Sequence, residues 1–187
     1  WRSVDLKRPR NLAIFTLASK ILRALRATLY AERLVEVFTP KIIVTSTEGG
    51  AELFPVLYFE RVAYLSQSPQ LYKEQLTASL ERVFEIGPAY RAEKHNTDYH
   101  LNEFISIDAE AAFMNYNDVI DLLEKIMKRV ASVLSENSNR LAEVGITPVV
   151  TELHRIPRVD YDEAVDQLAR LGYSVKWGDD FTVEMQK

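Results

Sequence analysis

The chain has 187 residues, 47% of them hydrophobic and 27% charged, with six Gly and seven Pro, which excludes disordered, collagenous and low-complexity classes and suffices for one domain with its own core. Twenty-three basic residues against 27 acidic ones leave a net charge of −4, so no global basic coat invites nucleic acid, while a local patch stays open. The absence of Cys removes disulfide frameworks, thiolate metal sites and Cys nucleophiles and fits a cytoplasmic setting, and no apolar run approaches membrane-spanning length, so no membrane partner is expected.

Arg8-Pro9 opens the first long segment, in which Leu12, Phe15, Ala18, Ile21, Leu22, Leu25 and Leu29 follow the helical period with Lys20, Arg23 and Arg26 between them. This is an amphipathic helix ending near Glu32-Arg33. Leu34 to Pro40 alternates and is rich in β-branched and aromatic types, which reads as a strand that Pro40 closes or leaves at an edge. Residues 45–52 form a polar, glycine-bearing loop, and two short strands are expected over Phe54 to Phe59 and Val62 to Leu65. Ser68-Pro69 predicts a helix start, with Ser as N-cap and Pro at the first helical position, running to about Ser79. Arg82 to Glu93 and Leu101 to Phe113 read as two strands joined by a polar loop. Asn117 to Glu136 is a second amphipathic helix, and a shorter one from Tyr161 to Leu171 ends at Gly172, a residue suited to a left-handed cap. The order predicts an α+β fold, an antiparallel sheet flanked by helices. Residues 1–187 read as one domain, with 137–187 an insertion-like subregion.

The strand pair carries the chemistry. Side chains alternate faces along a strand, so Phe84, Ile86 and Tyr90 oppose Glu85, Arg91 and Glu93, and Ile105, Ile107, Ala109, Ala111 and Phe113 oppose Phe104, Ser106, Asp108 and Glu110. The pair can therefore bury one apolar face and present another holding Arg91, Glu93, Asp108 and Glu110, with Phe104 stranded among the charges. An arginine fork suits phosphate or carboxylate, and a lone aromatic suits a nucleobase; from periodicity alone, a solvated face laced with weak salt bridges is the commoner outcome. Gln70 and Lys73 lie three apart on a first helical turn and can face one cleft, where the helix N-terminus and the ammonium both favour an anion. An ordinary capped surface helix satisfies the same spacing. His95, His100 and His154 lack metal-ligand spacing, and no Walker-type loop, dinucleotide glycine fingerprint or serine-hydrolase elbow occurs.

Several of these segments, in this order, resemble the class II aminoacyl-tRNA synthetases, most closely the archaeal type of aspartyl enzyme. Val37-Phe38-Thr39-Pro40-Lys41-Ile42 after a long helix is similar to the first signature motif, which builds the dimer interface around its proline. Thr47-Glu48-Gly49-Gly50-Ala51 with Leu53-Phe54-Pro55 resembles the loop that flips over the amino-acid pocket. Gln67-Ser68-Pro69-Gln70-Leu71-Tyr72-Lys73 resembles the start of the amino-acid-recognition helix, and Phe84 to Glu93 with His100-Leu101-Asn102-Glu103-Phe104 the second signature motif. The likeness runs from about Val4 to Asp180.

The resemblance implies a set of roles. Arg91 would bind the α-phosphate and the reacting carboxylate, Glu93 the adenine amino edge, and His100 the outer phosphates, while Phe104 would stack on the adenine ring. Glu48 and Asp108 would bind the substrate ammonium, Gln70 would orient the amino acid, and Lys73 would grip the side-chain carboxylate. A lysine ammonium has donors only, which favours aspartate over asparagine. The implied partners are aspartate, ATP with Mg2+, tRNA and a second copy meeting around Pro40; the magnesium ligands are expected outside this chain. The glycine-rich third motif and the N-terminal anticodon-binding barrel are not in the sequence, and Tyr99 stands where members often carry an arginine. The chain opens on Trp1 rather than Met and stops within a pattern at Gln186-Lys187, so the expectation is a catalytic-core fragment, inactive by itself, of an aspartate–tRNA ligase. Alternatives are a non-catalytic dimerising or tRNA-associated module, and an amide-forming ligase related to asparagine synthetase.

Overall fold

The computed structural model describes residues 1–46, 52–94, 100–148 and 153–186, and the chain divides into two compact units, Trp1–Glu152 and Leu153–Lys187. In the first unit a single turn, α1 (Arg2–Asp5), precedes α2 (Pro9–Ala31). Pro9 starts α2, where its missing N–H is one the helix would leave unpaired anyway. The helix buries Ala13, Ala24, Leu25 and Leu29 on one face, and the chain then turns through Arg33 at φ +64° into β1 (Val35–Glu36). Glu36 ties β1 back to α2: Arg26 Nε donates to it at 2.8 Å and the Tyr30 hydroxyl at 2.7 Å. Burial opposes ionisation of Glu36, but the hydrogen bonds from Tyr30 and Arg26 and the charge of Arg26 outweigh it and hold the carboxyl below its ordinary range.

Next come β2 (Ile42–Ile43), β3 (Pro55–Tyr58) and β4 (Arg61–Leu65), which form an antiparallel sheet in the order β2-β4-β3. Helix α3 (Gln70–Leu80) follows, then the long hairpin strands β5 (Arg82–Tyr90) and β6 (Glu103–Ala111). β5 and β6 pair antiparallel from Arg82↔Ala111 to Tyr90↔Glu103, and β1 adds to the other edge of β5 in parallel, Val35 opposite Val83. Helix α4 (Tyr116–Glu136) starts with a capping box in which Asn115 Oδ1 accepts from Asp118 N at 3.3 Å and Asp118 Oδ2 accepts from Asn115 N at 2.8 Å. A short α5 (Ser138–Glu143) ends this part and buries Leu141.

The core joins Leu25 and Leu29 of α2, Leu34, Phe84 and Ile86 of β5 and Leu122 of α4, with Ile21, Leu22, Ile126 and Val130 packed around it. Tyr30 meets Phe84 edge to face at 5.2 Å. Helices α2 and α4 thus cover the face of β5 that carries Phe84 and Ile86. Lys73 of α3 reaches the opposite face, the one carrying Asp108.

The second unit is organised by Tyr161, the first residue of α6 (Tyr161–Arg170). Its ring stacks on Phe181 at 5.2 Å and meets Trp177 edge to face. Its hydroxyl donates to the Asp179 carbonyl at 2.8 Å and accepts from Gly178 N at 2.9 Å. Gly172 caps α6 at φ +90°, the conformation its position after the apolar pattern predicts.

The α+β fold of antiparallel strands flanked by helices holds, with β1 added parallel to β5 and the strands divided between two three-stranded sheets among the described residues. Several expectations change. The strand expected over Leu34 to Pro40 shrinks to two residues, since Thr39 turns its N–H and hydroxyl to the Glu85 carboxylate instead of to the ladder. Pro69, not Ser68, is the N-cap of α3; the Ser68 hydroxyl still accepts from Gln70 N at 3.2 Å. The two faces of β6 also differ from expectation. Ile105 and Ile107 are 57% and 45% exposed, whereas Phe104, Ser106, Asp108 and Glu110 are half-buried. The core cluster takes its strand residues from β5 and none from β6, while α3 packs on both strands from the other side.

Candidate functional site

The polar face of the β5–β6 hairpin holds two clusters. The first forms where α3 begins. The Pro69 carbonyl accepts from Tyr72 N and Lys73 N, closing the first turn and directing Gln70 and Lys73 toward β6. Lys73 is buried, 3% exposed, and its ammonium donates to Asp108 Oδ1 at 3.0 Å with Glu110 Oε2 at 3.9 Å. Gln70 Nε2 donates to Glu110 Oε2 at 3.3 Å and to Glu74 Oε1 at 2.9 Å. A buried ammonium is costly unless paired, so a solvated face with weak salt bridges does not describe this arrangement.

The loop leading into α3 is equally fixed. Ser66, Gln67 and Ser68 are buried; Ser66 N donates to the Lys41 carbonyl at 3.0 Å, and Tyr90 N donates to the Ser66 carbonyl at 2.9 Å. The first cluster and the end of β5 therefore share one backbone frame.

The second cluster lies at the open end of the hairpin. Arg91 N donates to the Asn102 carbonyl at 2.9 Å, and Asn102 Nδ2 spans the Arg91 and Glu93 carbonyls at 2.7 and 3.0 Å. The Arg91 guanidinium sits over the Phe104 ring, 5.6 Å from its centroid. Arg91 Nε is buried with no hydrogen-bond partner among the described residues, which leaves a donor available. Phe104 and Asp108 share a face four residues apart on β6, so the clusters are about 13 Å from each other. In chemical type, Arg91 suits an anion, Phe104 a planar ring and the Lys73 ammonium a carboxylate.

Each residue singled out in the sequence has a place or a limit. Gln70, Lys73 and Asp108 come together, and so do Arg91 and Phe104. Glu93 is half-buried beside Arg91, with its carbonyl held by Asn102. His100 is exposed ahead of β6, and Pro40 is exposed next to Phe38, itself 79% exposed. Glu48 and Tyr99 lie outside the described residues.

Three charged residues gain importance only in the structure. Glu110 is the second carboxylate at Lys73. Glu85, 2% exposed, pairs with Lys41 at 2.7 Å and accepts from Thr39 N and Oγ1. The signal for Glu85 was its parity, which sets it on the face of Asp108 between the buried Val83 and Ala89. Among the described residues no group of three or more His, Asp or Glu side chains could hold a metal ion, and no helix is long and apolar enough to cross a membrane.

Comparisons with known proteins agree with this geometry. The family model described as tRNA synthetases class II (D, K and N) matches residues 1–186. An aspartate–tRNA(Asp) ligase from Pyrobaculum aerophilum is 79% identical over 187 residues, covering 100% of this chain and 44% of that protein. An aspartate–tRNA(Asp/Asn) ligase from Sulfurisphaera tokodaii is 48% identical over 180 residues, covering 96% of this chain and 42% of that protein. Among solved structures, asparaginyl-tRNA synthetase from Pyrococcus horikoshii complexed with asparaginyl-adenylate aligns with a TM-score of 0.86 at 35% identity, covering 98% of this chain and 43% of that one. The chain spans less than half the length of these relatives.

Proposed function

The chain belongs to the class II tRNA synthetases (D, K and N), and from that premise we propose that it is part of the catalytic domain of an aspartate–tRNA ligase. The observation that carries the reading is the buried Lys73 ammonium on the same sheet face as the Arg91–Phe104 pair. That is a cation for a side-chain carboxylate in line with an arginine and a ring for a nucleotide. Neither a non-catalytic module nor an amide-forming ligase is favoured by the ligases it resembles.

In the proposed reaction an oxygen of aspartate's α-carboxylate attacks the α-phosphorus of ATP, and the bond to pyrophosphate breaks. A terminal hydroxyl of tRNA then attacks the aspartyl carbonyl, and AMP leaves. Arg91 offers its orphaned donor to the α-phosphate and the reacting carboxylate, which stabilises the charge that builds at phosphorus. Phe104 stacks on adenine, Glu93 accepts from the adenine amino group, and His100 reaches the outer phosphates. Lys73 keeps donor capacity beyond its bond to Asp108, because an ammonium carries three donors. Asp108 likewise keeps acceptor capacity for the substrate ammonium, with Glu48 as its counterpart, while Gln70 orients the amino acid. The catalysis is positioning and charge stabilisation, with no nucleophile supplied by the protein. The magnesium ion that accompanies ATP would offset phosphate charge, and in this reading its protein ligands are expected outside this chain. The reading also includes a homodimer meeting around the exposed Pro40 and Phe38, and the cytoplasmic setting that tRNA charging needs.

The test is ATP–pyrophosphate exchange and tRNA charging by the full-length protein. Exchange with aspartate and not with asparagine is expected; exchange with asparagine alone would overturn the reading.

A further inference from the structure

Glu85 and Asp108 stand directly opposite each other in the β5–β6 ladder. Side chains so placed have Cβ atoms about 5 Å apart, and like charges there repel. The structure separates their counter-charges. Asp108 takes Lys73 from α3 at 3.0 Å, and Glu85 takes Lys41 from the segment after β1 at 2.7 Å. Lys41 Nζ also donates to Thr39 Oγ1 at 3.1 Å, and that hydroxyl donates in turn to Glu85 Oε2 at 2.7 Å. The next residue on this face of β5 is Gly87, where a Cβ would lie 3.2 Å from Glu85 Oε1 and 3.6 Å from Lys41 Cε. The absence of a side chain there is what lets the pair lie flat on the strand. With Glu110 included, these ion pairs set two ammoniums against three carboxylates, so among these five described residues carboxylates outnumber cations.

We propose that Lys41 is a positioning residue of the amino-acid site: by neutralising Glu85 it leaves Lys73 to Asp108 and the substrate carboxylate, and it locks the Thr39–Lys41 segment to the strand that leads to Arg91. Without Lys41 the buried Glu85 charge faces Asp108 uncompensated. Lys73, paired with the carboxylate opposite Glu85, is then open to being drawn away, and an incoming carboxylate meets one more negative charge. The effect falls on the amino acid rather than on ATP, because Glu85 and Asp108 form one rung of the ladder and the Arg91–Phe104 pair lies about 13 Å further along.

This inference rests on the aspartate–tRNA ligase reading, and aspartate-dependent ATP–pyrophosphate exchange by the full-length protein separates the two. Lys41→Met is expected to raise KM for aspartate about tenfold or more while KM for ATP stays within about twofold. Lys41→Arg, which keeps the charge, is expected to stay near wild type. Glu85→Gln added to Lys41→Met removes the uncompensated carboxylate and is expected to return most of the loss, a recovery that a purely structural role for Lys41 does not provide. If Lys41→Met fails to fold, the double variant decides: folded with near wild-type aspartate KM it supports the inference, folded with the raised KM it overturns it. Unchanged aspartate KM in Lys41→Met, or equal rises for both substrates, overturns the inference alone. Wild-type protein with no aspartate-dependent exchange overturns the ligase reading, and the inference with it.

Discussion

Replacing Lys73 by Met keeps most of the side chain's volume and removes its charge. The ammonium lies 3.0 Å from Asp108 and 3.9 Å from Glu110, so with an effective dielectric of about 20 the gross attractions are about 5.5 and about 4.3 kcal/mol. Much of that offsets the cost of taking the ammonium out of water. The measurable loss is the penalty of leaving two carboxylates, 17% and 32% exposed, without their cation, about 3–5 kcal/mol. A solvated pair sets the contrast: Arg8 and Asp5 are 75% and 49% exposed, and Arg8→Met should cost less than about 1 kcal/mol. Urea unfolding of the full-length protein followed by far-UV circular dichroism measures both. Asp108→Asn in the Lys73→Met background should return about 1–3 kcal/mol, since the two sites are coupled. A loss below about 1 kcal/mol for Lys73→Met would refute the reasoning, because it would mean that water, not Asp108 and Glu110, solvates the ammonium.

Three further outcomes are expected. Phe104→Leu removes a ring worth about 1–3 kcal/mol to a stacked base, so KM for ATP in the exchange assay should rise by roughly tenfold with KM for aspartate little changed. Glu36, held below its ordinary range against burial by Tyr30 and Arg26, contributes stability that is present above its unfolded pKa of about 4.3 and is lost as pH falls through the lowered folded value. Thermal midpoints measured from pH 6 down to 3 should therefore fall less steeply for Glu36→Gln than for wild type. Leu29, fully buried in the α2–β5–α4 core, should cost about 2–5 kcal/mol on replacement by Ala, read from the urea midpoint at constant m-value.

Much of the first unit was legible because its signals are local. The 3.6-residue period of α2, the proline at its start and the alternation of β5 and β6 each depend on neighbours within a few residues. The cap of α4 was equally readable in Asn115 and Asp118 but lay just ahead of the apolar pattern used to find the helix. Gln70 with Lys73, and Phe104 with Asp108, followed from spacing and parity as groups able to share a face. The expectation that the face is a site rather than a solvated surface came from resemblance, not from periodicity. The brevity of β1 was not legible, because Thr39 leaves the ladder for a carboxylate 46 residues away.

The sequence by itself determined which side chains point the same way along each element, since backbone geometry sets that order residue by residue. Only the tertiary structure decided which direction was inside. On β6 it covered the charged face and left Ile105 and Ile107 exposed, because α3 lies over one side while the α2–α4 core reaches only β5. It also decided the ion pairs. Lys73 finds Asp108 across 35 residues of chain, and Lys41 finds Glu85 with β2, β3, β4 and α3 between them in sequence. Charge pairing depends on distance in space and on exclusion of water, and neither is written in the order of residues.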